Sequence, residues 1–203
     1  DRLTNDVLVK QHYPLPHLQE CLDKLARSDR FTTLDMISAF WQQPLAKESH
    51  KFTAVNFPWG KAEFTTAPMG LQASASCFQK SIDLLLAGEE WAVSYIDDCI
   101  IHTAGGLEPH LEVVARALDR LGGAGYTFRP DKCYIGMPSV SFLGHIVDSS
   151  GVRPDPAKVE QIVSAEFPRS AADMGHWIGL VGFYSRFIPR CMLILKPLQD
   201  RVN

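Results

Sequence analysis

No apolar run in this 203-residue chain reaches the roughly 18 residues a membrane helix requires, and no signal peptide is visible, so no membrane span is expected. No C-x-x-C pair occurs among Cys21, Cys77, Cys99, Cys133 and Cys191. That scatter removes the usual zinc spacings and points to reduced, mostly buried thiols and an intracellular setting. An initiator Met is missing too: the chain opens on Asp1-Arg2-Leu3 and reads as a fragment or a processed product. Nor is there an excess of basic charge. Twenty Lys+Arg against 23 Asp+Glu give −3, which argues against indiscriminate nucleic-acid binding. Repeats and low-complexity tracts are absent, and the length suits one large domain or two small ones.

The charge that is present is unevenly placed. Residues 61–110 hold two basic and seven acidic side chains, whereas residues 151–203 hold seven basic and five acidic. An acidic centre is what a divalent-metal site would produce, and a mildly basic C-terminal quarter could touch phosphates; an uneven surface charge is the plain alternative.

Periodicity predicts helices over 17–25, 71–87 (stopped by Gly88) and 109–121 (closed by Gly122-Gly123). It predicts strands over 31–36, 51–57 and 61–66, the last two joined by Pro58-Trp59-Gly60, and a strand-turn-strand over 92–102. Short strands are expected around 126–128, 133–135 and 141–147. A helix opening at Pro154-Asp155-Pro156 follows, then one over 171–181 with Ser170 as N-cap, then one over 183–194 ended or bent by Pro189. Mixed α+β for the first 150 residues and all helix thereafter implies a boundary near 148–154.

The densest information lies in Tyr95-Ile96-Asp97-Asp98, flanked by Trp91-Ala92-Val93 and Cys99-Ile100-Ile101. A hairpin on that pattern pushes two adjacent carboxylates out of its turn, which is costly unless a cation or solvent satisfies them. Asp35 closes a predicted strand 62 residues earlier. If that strand lies beside the hairpin, Asp35 and Asp97 can jointly hold two divalent ions about 4 Å apart, the clamp for in-line phosphoryl transfer. All-carboxylate ligation suits Mg²⁺. An Asp-Asp pair alone more often caps a turn. His110, His145 and His176 lie far apart in sequence and show no ligand spacing.

An ordered series of motifs supplies context. Tyr13-Pro14-Leu15-Pro16, Leu34-Asp35-Met36-Ile37-Ser38-Ala39-Phe40, Phe64-Thr65-Thr66-Ala67-Pro68-Met69-Gly70-Leu71 and Phe78-Gln79 precede Tyr95-Ile96-Asp97-Asp98. Lys132-Cys133, Phe142-Leu143-Gly144-His145, Gly151-Val152-Arg153-Pro154-Asp155-Pro156 and Phe183-Tyr184-Ser185-Arg186-Phe187-Ile188 follow it. In this order the series resembles the reverse transcriptase of gypsy-type LTR retrotransposons over nearly the whole chain.

The resemblance implies a right-hand polymerase palm with partial fingers, the primer grip near 142–147, in residues 1–150, and a small helical thumb in 151–203. It implies an RNA-directed DNA polymerase with two Mg²⁺ (or Mn²⁺) ions, a dNTP, and an RNA or DNA template-primer. Asp35, Asp97 and Asp98 would be the palm carboxylates, with Asp35 and Asp97 most directly on metal. Phe40 would wall off a 2′-hydroxyl on the incoming sugar, though on residues alone it reads equally as a core aromatic. Gln72 and Tyr95 would sit with it at the nucleotide. Lys132 would protonate or bind the leaving pyrophosphate, or else is a solvated lysine. Phe142, Leu143, Gly144 and His145 would grip the primer, and Arg186 and Arg190 would touch duplex backbone.

Three departures stand out. Asp1-Arg2-Leu3-Thr4-Asn5 looks like a remnant of the family's D-Y-R-x-L-N, so upstream fingers strands are expected to be missing. Ala73-Ser74-Ala75-Ser76-Cys77 replaces N-A-P-A-T, and Leu121-Gly122-Gly123-Ala124-Gly125 is unusually rich in glycine. The chain therefore reads as a polymerase core trimmed at both ends. Two other functions are weighed against it: a recruited fragment serving as a non-catalytic structural subunit of a larger assembly, and a nucleic-acid-binding module without catalysis.

Overall fold

The structure, a computed structural model, describes Asn5 and residues 13–202; the motif remnant at 1–4 lies outside them. Two compact units are present, Asp1–Val140 and Ser141–Asn203.

The first unit contains α1 (Leu18–Leu25), β1 (Arg30–Asp35), a hairpin of β2 (Val55–Phe57) and β3 (Gly60–Ala62), α2 (Gln72–Leu85), β4 (Ala92–Tyr95), β5 (Asp98–Thr103), α3 (Leu107–Gly123) and β6 (Tyr134–Met137). An antiparallel sheet in the order β4-β5-β1-β6 is its frame. Because side chains alternate along a strand, the register Leu34↔Cys99 and Thr32↔Ile101 puts these four on one face. There Leu34, Cys99 and Ile101 meet Phe78 and Ile82 of α2 and Val114, Ala117 and Leu121 of α3 in the main core. Full burial of each such large apolar side chain stabilises by about 1.5–3 kcal/mol. The intervening residues Thr33, Asp35, Asp98 and Ile100 fall on the opposite face.

Helix α3 runs through Gly122-Gly123 rather than stopping before them. The terminator is Gly125, at φ +92°: its N–H bonds Gly122 O and Tyr126 N–H bonds Leu121 O, a complete Schellman cap. The long β runs expected at 51–57 and 61–66 shorten to three residues each, preceded by a 3₁₀ segment, Lys47–Thr53. The Thr53 hydroxyl donates to His50 O and accepts from Phe64 N–H, and this local bonding competes with a strand ladder. Around 126–128 a single bridge, Met36↔Phe128, takes the place of a strand.

β7 (Ser139–Phe142), β8 (His145–Asp148) and β9 (Gly151–Pro154) form a three-stranded sheet. They lead to α4 (Pro156–Val163), α5 (Ala171–Phe183), a 3₁₀ turn (Ser185–Phe187) and α6 (Cys191–Val202). Asp155 caps α4, with Pro156 at its first position, and Ser170 with Asp173 forms a capping box on α5. The helix expected over 183–194, ended or bent by Pro189, is a 3₁₀ turn over Ser185–Phe187 before Pro189; after Arg190 at φ +56° a new helix starts at Cys191. Ile178, Cys191 and Leu195 form the small core of this unit. The second unit starts at Ser141, about ten residues before the compositional step at 148–154, because the Leu143–Gly144 turn is bonded into the helices that follow.

Candidate catalytic carboxylate site

Asp35 is the last residue of β1 and Asp98 the first of β5, and their Cα atoms are paired directly across the ladder. Directly opposed residues share a face with Cβ atoms about 5 Å apart. Tyr95 pairs with Asp98, so Ile96 and Asp97 make a two-residue turn with Asp97 beside the pair. The three carboxylates therefore converge at one end of the sheet, on the face turned away from the core built by α2 and α3.

Their electrostatics follow from that placement. Partial burial raises the Asp97 carboxyl above the ordinary aspartate range, and the negative charge of Asp35 raises it further. Asp98 is raised by burial, then by Asp97, then by Asp35. Among the described residues Arg129 is the cation paired with Asp35, its Nε 4.0 Å from Asp35 Oδ1, and its backbone N–H donates to Asp35 O. Among the described residues no three His, Cys, Asp or Glu side chains stand close enough together to hold an ion by themselves. The donor set is thus an all-carboxylate, mutually repelling one that water and phosphate oxygens must complete, a set that fits a hard divalent cation.

The turn itself is strained. Ile96 holds φ +53°, a left-handed conformation that costs a non-glycine residue about 1–2 kcal/mol. What pins it is Gln79 of α2, fully buried, whose Oε1 accepts from Ile96 N–H at 2.6 Å. The Gln79 amide nitrogen in turn donates to the Ser94 hydroxyl and carbonyl and to Asp83. Asp83 also accepts from Ser94 and from the Tyr13 hydroxyl. Ile96→Gly is expected to stabilise the fold by about 1 kcal/mol, the strain relieved less the extra unfolded-state entropy of glycine. Urea unfolding checks this, and a loss of stability would mean that the packing of the Ile96 side chain outweighs its strain.

Phe40 lies against the main core, edge-on to Phe78 at 5.8 Å, and is only partly exposed. Tyr95 shares the face of Asp35 and Asp98. Gln72 is exposed at the start of α2, where its N–H donates to the Asn5 side chain, which also donates to Gly70 O. Lys132 is exposed at the end of a 3₁₀ turn, its N–H bonded to Arg129 O; the next residue, Cys133, accepts from Asp35 N–H through sulfur. In the second unit, Phe142 and His145 are buried, leaving the Leu143–Gly144 turn as the accessible part of that motif. Arg186 stacks over Phe187, and Arg190 is exposed. Both ring nitrogens of His110 are engaged by the hydroxyls of Thr32 and Thr103.

The sequence reading missed Gln79, Ser94, Asp83 and Arg129. Phe78-Gln79 was legible as a motif, and a glutamine beside the core-facing Phe78 was the available signal.

A four-stranded antiparallel sheet that backs onto two helices thus gathers three carboxylates at one end, two of them at a strained hairpin and the third on the neighbouring strand, and comparison with known proteins places the chain among polymerases. Residues 1–147 match the family model "Reverse transcriptase (RNA-dependent DNA polymerase)". The chain belongs to this family, in its gypsy-type retrotransposon group. It is 33% identical over 201 residues to the retrovirus-related Pol polyprotein from transposon 297 of Drosophila melanogaster, covering 98% of the chain and 19% of the polyprotein. It is 30% identical, over 98% of the chain and 19% of the relative, to the Pol polyprotein from transposon gypsy of the same organism. The chain thus spans about a fifth of the length of these relatives. Among solved structures, a foamy viral protease-reverse transcriptase in complex with double-stranded DNA matches with a TM-score of 0.91 at 25% identity, over 98% of this chain and 35% of that one.

Proposed function

We propose that the chain is the RNA-directed DNA polymerase core of a gypsy-type retroelement, adding deoxynucleotides to a primer 3′ end on an RNA or DNA template. One observation carries this reading: Asp35 and Asp98 are paired across β1 and β5 with Asp97 in the adjoining turn. In it, the β4-β5-β1-β6 sheet with α2 and α3 is the palm, the β2–β3 hairpin region is part of the fingers, and the helices after residue 150 are the thumb. The foamy viral relative's complex with DNA supports a nucleic-acid partner.

Asp35 and Asp97 would hold two divalent ions, Mg²⁺ or Mn²⁺. When bound, such ions acidify an attacking hydroxyl and neutralise a leaving pyrophosphate. The chain's own side chains do the remaining work. Gln79 fixes the turn so that Asp97 is presented without reorganisation. Phe40 and Tyr95 shape the sugar pocket, Phe40 against a 2′-hydroxyl, and Gln72 faces the nucleotide. Lys132, one residue before the Cys133 that accepts from Asp35 N–H, supplies a proton to the pyrophosphate. The Leu143–Gly144 turn, between Phe142 and His145, meets the primer 3′ end, while Arg186 and Arg190 contact duplex phosphates. Free thiols at all five cysteines fit a reducing, intracellular compartment. The recruited-scaffold alternative is not favoured, because three mutually repelling carboxylates stand together at a site a scaffold has no use for.

The test is extension of a DNA primer on an RNA template with dNTPs and Mg²⁺ or Mn²⁺. Template-directed extension is the expected result. A folded chain that binds primer-template and metal but adds no nucleotide would overturn the reading for this chain.

A further inference from the structure

Two residues in succession hold left-handed backbone between β7 and β8: Leu143 at φ +44° and Gly144 at φ +78°. Such a two-residue turn suits glycine and asparagine, and a leucine there is strained. Something must therefore hold it. Both lone pairs of the Gly144 carbonyl are used, one by Asp155 N–H at 3.0 Å and the other by the Tyr184 hydroxyl at 3.0 Å. A Cβ on Gly144 would lie 2.8 Å from that hydroxyl, so only glycine allows the approach.

Beside the turn, His145 is 1% exposed. Its ring centroid lies 5.3 Å from Phe183, 5.4 Å from Tyr184 and 5.6 Å from Phe187, three aromatic rings from the end of α5 and the 3₁₀ turn after it. Nδ1 bonds back to Leu143 O at 3.0 Å, while Nε2 is buried with no partner among the described residues. A polar group left unsatisfied in a core is tolerated only where the packing around it compensates. Burial, aided by the charge of Arg186, holds the imidazole below its usual titration range against the opposing backbone bond to Leu143, so it is seated neutral.

We infer that His145 and Tyr184 are positioning residues, and that the aromatic socket of Phe183, Tyr184 and Phe187 seats the Leu143–Gly144 turn directly on the end of α5. The inference rests on reading that turn as the part that meets the primer. The position of the primer 3′ end is then set by the helices of the second unit, through a hydroxyl and a ring rather than through the β-ladder alone.

Two measurements on the full chain test this. Amide exchange needs no substrate. Tyr184→Phe, which removes one hydroxyl and is expected to fold, should speed exchange across residues 143–155 on the order of fivefold, the equilibrium equivalent of one hydrogen bond. His145→Ala should speed it further, and His145→Phe, which refills the socket with a ring, should restore most of the protection. Steady-state extension is the second readout: Tyr184→Phe should raise the KM for primer-template about fivefold and leave the KM for dNTP and kcat unchanged. Unchanged exchange in both Tyr184→Phe and His145→Ala, or a change in dNTP KM in place of primer-template KM, overturns the inference. If the parent chain extends no primer, the polymerase reading fails, and the exchange result still decides whether the socket holds the turn.

Discussion

Replacing Asp97 by Asn is expected to abolish primer extension, by about a thousandfold or more, the scale on which single groups that stabilise transition-state charge act, and yet to give a chain that melts at a higher temperature than its parent. Both effects have the same origin. Asp97 and Asp98 have carboxyl groups raised above the aspartate reference of 3.8 by burial first and by neighbouring carboxylates second. The folded state therefore holds protons more tightly than the unfolded state. The stability this confers is fully present below the unfolded value and is lost as pH rises through the raised value. At neutral pH the charges of Asp97 and Asp98 work against folding, and an asparagine in place of Asp97 removes one of them. The parent should also gain thermal stability on adding Mg²⁺ in excess of an ionic-strength control, and the variant should gain less. Differential scanning in the two salts, alongside extension, is the measurement. Retained extension by the variant would remove Asp97 from the site, and an equal Mg²⁺ response would remove the ion from Asp97.

The second large effect is expected at Gln79. Its amide is fully buried and joins Ile96, Ser94 and Asp83, so Gln79→Ala strips a partner from each of them at once. Leaving a buried polar group unpaired costs about 1–3 kcal/mol, and with several groups affected a loss of about 3 kcal/mol is expected in urea unfolding. Catalysis should fall as well. The strained Ile96 turn would lose its one side-chain acceptor, and a shift of an ångström at Asp97 is enough to slow extension on the order of a hundredfold. Extension has to be measured at a temperature where the variant is folded. Parental turnover from such a destabilised variant would make Gln79 a core residue with no hold on the turn.

Much of the frame was legible in the chain itself because it is written in local patterns. Apolar runs on either side of Tyr95-Ile96-Asp97-Asp98 placed the hairpin strands, and the helical spacing of Phe78, Ile82 and Leu85 placed α2. Asp35 and Asp97 were legible as partners through motif order, but their register was not, since it depends on which of two strands 62 residues apart meet and at which residue. The Gln79 network was hidden for a different reason: a glutamine on a helix reads as a surface residue until the strand it bonds is known. At the end of α3, Gly125 could not be distinguished from Gly122 and Gly123 as the terminator. What decided it was backbone geometry: Gly122 and Gly123 stay helical, while Gly125 takes φ +92° and closes the helix on Gly122 O. The boundary at Ser141 was missed because composition changes where helices start, whereas the units divide where side chains such as Tyr184 and His145 bind the hairpin to those helices.

The facing of Asp35 and Asp98 has a consequence for how such a chain tolerates insertions and deletions. Six consecutive pairs, from Arg30↔Thr103 to Asp35↔Asp98, run without a bulge between β1 and β5. One residue gained or lost inside that stretch would turn an aspartate inward against Phe78 and Ile82 and send a leucine or cysteine out to water. No side-chain substitution nearby could repair such a frame error. The exposed β2–β3 loop, by contrast, joins only its own two strands, so length changes there leave the ladder untouched. Related chains can thus differ freely in the reach of that hairpin while the count of residues between Arg30 and Asp35 stays fixed at six.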